Sequence, residues 1–140
     1  MTRINVIHPE YLLDQHLFAE YRELPRIFEY ARRALARGRV TIPERYTLGE
    51  GHMRFFYNKT AWLVQRHATI VAELLKRGYT PKQTDPLTPV EGYAPSDWRP
   101  SPADVVVNME RLRLRLQEKN GTFYTHNKQR VSMDFYDLPA

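Results

Sequence analysis

The sequence predicts an all-α fold: a compact single domain of three main helices with long connecting loops and an extended N-terminal tail packed between the helices. Three observations carry this. Apolar residues recur at three- and four-residue spacing in three separate stretches. Glycines stand where those stretches stop, and prolines crowd an interval between them. The one stretch that alternates like a strand, Arg111-Leu112-Arg113-Leu114-Arg115-Leu116, has no partner strand to pair with. At 140 residues the chain is sized for one domain with a real hydrophobic core.

The residues before Asp14 include Pro9 and carry no helical stripe, so this tail is expected to run extended and to be free to reach a ligand. Asp14 is placed to cap the first helix. Leu13, Leu17, Tyr21, Leu24 and Phe28 share one face, and the stripe continues through Ala31, Ala34 and Leu35 to a stop at Gly38. Glu20, Arg22, Glu23 and Arg26 project elsewhere, so carboxylate is held among guanidinium groups where Pro25 should kink the helix. Arg32, Arg33 and Arg37 follow, and with Arg39 and Arg45 they make the densest basic cluster, suited to phosphate contact or to solvation alone.

Residues 40–57 lack a long period and contain Pro43, Gly49 and Gly51, which reads as a connector packing Tyr46, Phe55, Phe56 and Tyr57 under the helices. His52, beside the glycine pair, is expected to be a structural hydrogen-bonding residue. A second helix shows Leu63, His67, Ile70, Val71, Leu74 and Leu75 on one face, Asn58 or Thr60 as cap, and Gly78 as stop. The interval 81–102 holds Pro81, Pro86, Pro89, Pro95, Pro100 and Pro102, which forbid a continuous helix, and Trp98 is its expected anchor. Residues 103–119 are ambiguous between strand and helix. The Ser101-Pro102 start signal, the Val105, Met109, Leu112 and Leu116 stripe and Gly121 as stop select a helix, with Arg111 and Arg115 one turn apart.

The formal net charge is +5 and the pI near 9.6, which favours a polyanionic partner but is also compatible with a solvated surface. Arginine greatly outnumbers lysine, and guanidinium matches phosphate oxygens two at a time. Cysteine is absent, which excludes a disulfide scaffold and thiolate chemistry. The histidines are scattered without metal-site spacing, so no metal is expected. No charged leader precedes an apolar run and no run approaches spanning length, so a soluble, cytoplasmic protein without a membrane partner is expected.

Thr2-Arg3-Ile4-Asn5 followed by residues 14–26 (Asp-Gln-His-Leu-Phe-Ala-Glu-Tyr-Arg-Glu-Leu-Pro-Arg) resembles the pyrimidine-dimer DNA glycosylases of the phage endonuclease V type. Leu48-Gly49-Glu50-Gly51-His52, Phe55-Phe56-Tyr57 and Leu74-Leu75-Lys76-Arg77-Gly78-Tyr79 are similar to that family in order and separation. The likeness spans roughly the first eighty residues and thins to a helix-plus-aromatic-tail layout beyond Gly78.

The resemblance implies a DNA repair enzyme that excises ultraviolet-induced cyclobutane pyrimidine dimers from double-stranded DNA and then nicks the strand, acting as a monomer without cofactor. Glycosylase-lyase chemistry needs an amine that attacks the sugar C1′ to give an imine, whose positive charge acidifies the C2′ hydrogens. The family uses an N-terminal amine, here the α-amino group of Thr2 once Met1 is trimmed. An ordinary α-amino pKa of about 7.7–8.0 leaves a neutral fraction near pH 7, and nearby arginines push it lower. Glu23 would stabilise the cation and move protons, although a plain helix ion pair with Arg26 is the competing reading. Arg22 and Arg26 would clamp phosphates, and Arg3 and Gln15 would contact DNA near the scissile sugar. His16 would orient a phosphate or else be a satisfied imidazole. Arg111, Arg115 and Lys119 complete the expected DNA-binding set, with Phe123 and Tyr124 aligned to the family's aromatic run that engages the lesion. Two alternatives stay open: a silent nucleic-acid-binding helical module, and the same chemistry on oxidised bases or abasic sites.

Overall fold

Helix α1, Asp14–Arg37, is the spine of the computed structural model, which describes residues 4–38, 40–94, 96–118 and 124–137. A one-turn α2 (His52–Phe55), a long α3 (Thr60–Lys76) and a long α4 (Pro102–Glu118) follow. A two-stranded antiparallel ribbon, β1 (Thr125–His126) and β2 (Gln129–Arg130), pairs Thr125 with Arg130. Short 3-10 turns lie at Pro9–Tyr11 and Phe135–Asp137. The fold is all-α, with the ribbon its only sheet among the described residues.

Helix α1 runs as one segment through Pro25 and stops at Gly38, whose φ of 85° supplies the left-handed cap; its N–H donates to Leu35 O at 3.1 Å. Asp14 does not cap it. Leu13 is the cap residue and makes no side-chain cap bond. Asp14 is buried in the first turn, where Arg77 (2.8 Å), Tyr79 Oη (3.0 Å), Thr125 Oγ1 (2.6 Å) and the amides of Asn127 (3.0 Å) and Lys128 (2.8 Å) all donate to it. Five tertiary donors satisfy a buried carboxylate far better than one amide of its own helix.

The core is Leu17, Leu24, Ile27, Phe28 and Ala31 of α1 against Leu63, Ile70 and Leu74 of α3, closed by Leu112 and Leu116 of α4. Leu75, expected on the buried face, is 54% exposed, because one residue past Leu74 turns it about 100° away. Neither Asn58 nor Thr60 caps α3. Lys59 holds that position, and the Thr60 hydroxyl instead accepts the Val90 amide at 3.0 Å. The connector aromatics are core as expected: Phe55 and Phe56 are fully buried and Tyr57 nearly so. Trp98 packs edge-on against Phe55, Phe56 and Trp62 with centroids 4.9–5.7 Å apart and anchors the proline-rich loop. The expected start of α4 is a reciprocal box: Asp104 N–H donates to Ser101 Oγ at 3.1 Å and Ser101 N–H to Asp104 Oδ2 at 2.9 Å. Gly121 and Arg39 lie outside the described residues.

The tail is packed from Ile4 onward rather than free. Ile4, Val6 and Ile7 are buried between the helices before Pro9–Tyr11 turns the chain into α1. Its backbone groups, shut away from water, must find partners inside the protein.

Candidate active site

Those partners come from every helix. Ile4 N–H donates to His52 Nε2 (2.7 Å) on α2, while Tyr46 Oη donates to Ile4 O (2.9 Å) from the connector. Asn108 Oδ1 on α4 accepts the Val6 amide (2.7 Å), and its Nδ2 donates to Asn5 Oδ1 (2.8 Å). Asn5 Nδ2 donates to Glu20 Oε1 (2.8 Å) on α1. Arg66 on α3 grips Glu20 with Nε (2.7 Å) and Nη2 (3.0 Å) and donates from Nη1 to Ile7 O. All of these residues are at least 90% buried. Asn5, Glu20, Arg66, Ile7 and Asn108 thus close one buried polar ring, and His52 and Tyr46 hold Ile4 beside it.

Glu20 is the member that the periodicity reading missed. It is 1% exposed, not projecting among guanidiniums. A signal was available: Ile27, Ala31 and Ala34 lie within about 40° of Glu20 on the helical wheel, so its stripe is apolar downstream. Nothing in the sequence pairs Glu20 with Arg66, Asn5 or Asn108.

One turn on, Glu23 faces outward. Its carboxylate side chain is 24% exposed and Oε2 lies 3.1 Å from Arg26 Nη1, whose side chain is 59% exposed. Arg22 is exposed as well. Gln15, Arg22 and Arg26 follow at spacings of seven and four, which sets them on one outer stripe of α1 over about 17 Å. The basic cluster further along is partly spent inside the protein: Arg32 donates to Thr88 O (3.2 Å) and Arg33 pairs with Glu29 (3.0 Å), while Arg37 and Arg45 are exposed.

At the start of α1 the C-terminal ribbon closes over the helix. Gln15 Nε2 donates to Thr125 Oγ1 (3.1 Å) and Gln15 Oε1 accepts the Thr125 amide (3.0 Å). His16 lies against Tyr136, stacked at 5.6 Å and 13°, and Tyr124, tilted at 5.3 Å. Leu13 N–H donates to Tyr136 Oη (3.0 Å), and the same hydroxyl is hydrogen-bonded to His16 Nδ1 (2.7 Å). Burial, seconded by the charge of Arg115, pushes the His16 pKa down to about 4. At neutral pH His16 is therefore an uncharged imidazole and not a cation.

Arg115 reaches Glu118 at 3.6 Å and Arg111 reaches the same carboxylate at 3.7 Å, which confirms their shared side of α4. Tyr124 is 7% exposed against His16, so any part it takes in lesion recognition runs through that packing. The structure therefore brings Gln15, His16, Tyr124 and Arg115 together at one end of α1, with Arg22, Glu23 and Arg26 further along it. Thr2, Arg3, Lys119 and Phe123 lie outside the described residues.

Asp14 secures this corner. Burial raises its pKa, but the hydrogen bonds from Thr125, Lys128, Arg77 and Tyr79 together outweigh that and hold the carboxyl below its ordinary range. Two of its donors, the amides of Asn127 and Lys128, belong to the ribbon turn, whose φ values of 54° and 68° are those of a tight hairpin.

Among the described residues no group of three His, Asp or Glu side chains could hold a metal ion, and no helix is long and apolar enough to cross a membrane. Residues 1–87, more than half of the chain, match the family model described as pyrimidine dimer DNA glycosylase.

Proposed function

The chain belongs to the pyrimidine dimer DNA glycosylase family, and from that premise we propose that it excises cyclobutane pyrimidine dimers through an imine with the α-amine of Thr2 and then nicks the strand by β-elimination. The observation that carries this reading is the buried network that ties residues 4–7 to α1 at Glu20, one turn before Glu23. Glu23 lies about 4.5 Å along the helix from Glu20. Thr2 stands three residues before Asn5, a separation of at most about 10 Å, and the reading requires its amine to meet that carboxylate.

In this mechanism the neutral amine attacks C1′ as the glycosidic bond breaks and the base leaves with its electron pair; the nitrogen then loses a proton, and the C1′–O4′ bond opens with a proton delivered to O4′ to give the imine. Glu23 stabilises the cationic sugar and the iminium, and helps move protons as the C2′ hydrogen leaves and the C3′–O bond breaks. Its partial exposure suits the task, since a fully buried carboxylate could not meet the sugar. Arg22 and Arg26 clamp phosphates on either side of the lesion. Arg3 and Gln15 contact the backbone near the scissile sugar, His16 offers an uncharged imidazole, and Arg111, Arg115 and Lys119 add further DNA contacts. Phe123 and Tyr124 tune lesion engagement. Bending of the duplex and extrusion of the nucleotide opposite the lesion would make recognition depend on deformability.

Borohydride tests the reading, because it reduces the imine to a stable amine and should freeze a covalent protein–DNA complex during turnover, mapped to Thr2. An adduct on a lysine, or full activity with the terminal amine acetylated, would overturn it. A silent binding module would give no adduct, and parallel reactions on dimer-containing, abasic and undamaged duplexes identify the lesion.

A further inference from the structure

We propose that His52 is a positioning residue for the terminal amine, acting through the amide of Ile4; this rests on the reading that the amine of Thr2 is the nucleophile. The Ile4 N–H belongs to the peptide unit that joins Arg3 to Ile4. With that unit held, roughly three soft backbone dihedrals separate it from the amine of Thr2. No other hydrogen bond among the described residues acts on the tail so close to its start. Tyr46 Oη holds the next peptide unit by its carbonyl, at 2.9 Å.

The geometry fits a fixed acceptor. His52 Nε2 lies 2.7 Å from Ile4 N, and Nδ1 lies 2.8 Å from Thr47 O. A carbonyl can only accept, so Nδ1 carries the proton and Nε2 is the lone-pair nitrogen aimed at the tail. The ring cannot swing away. It is 1% exposed and wedged edge-on between Tyr46 and Phe56, with centroids at 5.7 and 5.6 Å. Gly51 delivers it there: a φ of 86° turns the chain into α2, and a Cβ at this position would come within 3.1 Å of Pro43 Cγ. The connector thus presents one imidazole nitrogen to the amide of Ile4, the first described residue of the tail.

A nucleophile whose chain is not registered loses the proximity advantage on which attack depends, and a displacement of about 1 Å can cost on the order of 100-fold. The prediction is that the rate depends on a hydrogen-bond acceptor at Nε2 and not on the ring. His52→Gln places an amide oxygen near the position of Nε2 but has no ring. His52→Phe keeps a ring between Tyr46 and Phe56 but has no acceptor. Both lose the bond to Thr47, so that loss is common to the two variants and does not separate them.

Single-turnover imine formation, read by borohydride trapping on dimer-containing duplex at saturating protein and well below each variant's Tm, is the deciding measurement. His52→Phe should be slowed about 10- to 100-fold with DNA Kd within about twofold of wild type, and His52→Gln should recover to within about threefold of wild type, whichever variant melts first. Equal rates for wild type and His52→Phe would overturn the proposal, as would equally slow Phe and Gln variants or a loss confined to binding. Should His52→Phe fail to fold, Tyr46→Phe, which removes the other hydrogen bond on Ile4, is held to the same criterion against wild type. Absence of a Thr2 adduct in wild type would instead defeat the nucleophile assignment and this proposal with it, before any variant is compared.

Discussion

The side-chain amide of Asn5 donates to Glu20 Oε1 at 2.8 Å, and the same carboxylate is gripped twice by Arg66, at 2.7 and 3.0 Å. An extended tail is thereby fastened to the first third of α1 by a charge pair whose side chains are 5% and 0% exposed. Burying such a pair is costly, and an apolar filling of the same volume would often be as stable. What the pair adds here is a fixed position for the tail.

Removing one partner should therefore be severe. Arg66→Ala leaves Glu20 buried and uncompensated and frees the carbonyl of Ile7, for an expected loss of about 3–5 kcal/mol. Arg26→Ala breaks an ion pair of similar length, 3.1 Å, on the surface and should cost less than about 1 kcal/mol. Urea unfolding of the two variants checks the contrast. Comparable losses would mean that burial is not what gives the Glu20–Arg66 pair its weight.

The same surface position that makes Arg26 cheap to lose for stability makes it accessible to DNA. Arg22→Ala and Arg26→Ala should each weaken binding to damaged and undamaged duplex alike and lower the slope of log K against log salt by about one counterion. Unchanged slopes would count against phosphate contact. Glu23→Gln should bind duplex as wild type does and unfold at the same temperature, yet lose base release and nicking, because an amide neither stabilises the cation nor takes a proton.

Acid should act on stability in two separate windows. The His16 pKa is about 4 in the folded protein against 6.5 when free, so between these values the unfolded chain takes up a proton that the folded one refuses. Stability is full above pH about 6.5 and falls as pH drops toward 4, by up to about 3 kcal/mol from His16. His67, whose pKa is also lowered by burial, works in the same direction. Asp14 works in the same direction in a lower window: its folded pKa lies below 3.8, so its contribution is intact above that pH and is lost below it. Thermal melts from pH 7 to 3 should show both declines, and His16→Gln should flatten the first while leaving the second. An unaltered slope between pH 6.5 and 4 in that variant would remove His16 as its source.

Periodicity was enough to find α1, α3 and α4, because each packs a stripe of Leu, Ile and Ala against the others and the 3.6-residue repeat survives in the sequence. Ring size, not periodicity, put Phe55 and Phe56 in the core and made Trp98 the anchor of the proline-rich loop, where it is partly buried against them. Glu20 was hidden because a carboxylate reads as surface unless its partner is known, and Arg66 is 46 residues away. Asp14 was read as a cap for a related reason: the sequence shows the local use of a carboxylate, whereas Arg77 and the ribbon arrive only through the fold. The ribbon left no period to detect, being two residues per strand.

That ribbon supplies the last prediction. The Asp14 carboxylate accepts the Asn127 and Lys128 amides and the Thr125 hydroxyl, and Thr125 in turn holds both ends of the Gln15 amide. Asp14→Ala should release the ribbon from α1 while leaving Arg77 its second partner, Glu73, at 2.7 Å. The stability loss should be about 3 kcal/mol, of the order seen when a buried charge loses one partner. If the ribbon and the residues before it engage the lesion, Asp14→Ala should lower dimer-specific incision several-fold more than abasic-site cleavage, which needs less recognition. Phe123→Ala and Tyr124→Ala should change the ratio in the same direction. Incision of matched dimer and abasic duplexes, with amide exchange over residues 125–130 to confirm that the ribbon has loosened, decides the matter. If both activities fall together while the ribbon opens, the Asp14 staple serves the fold and not the choice of lesion.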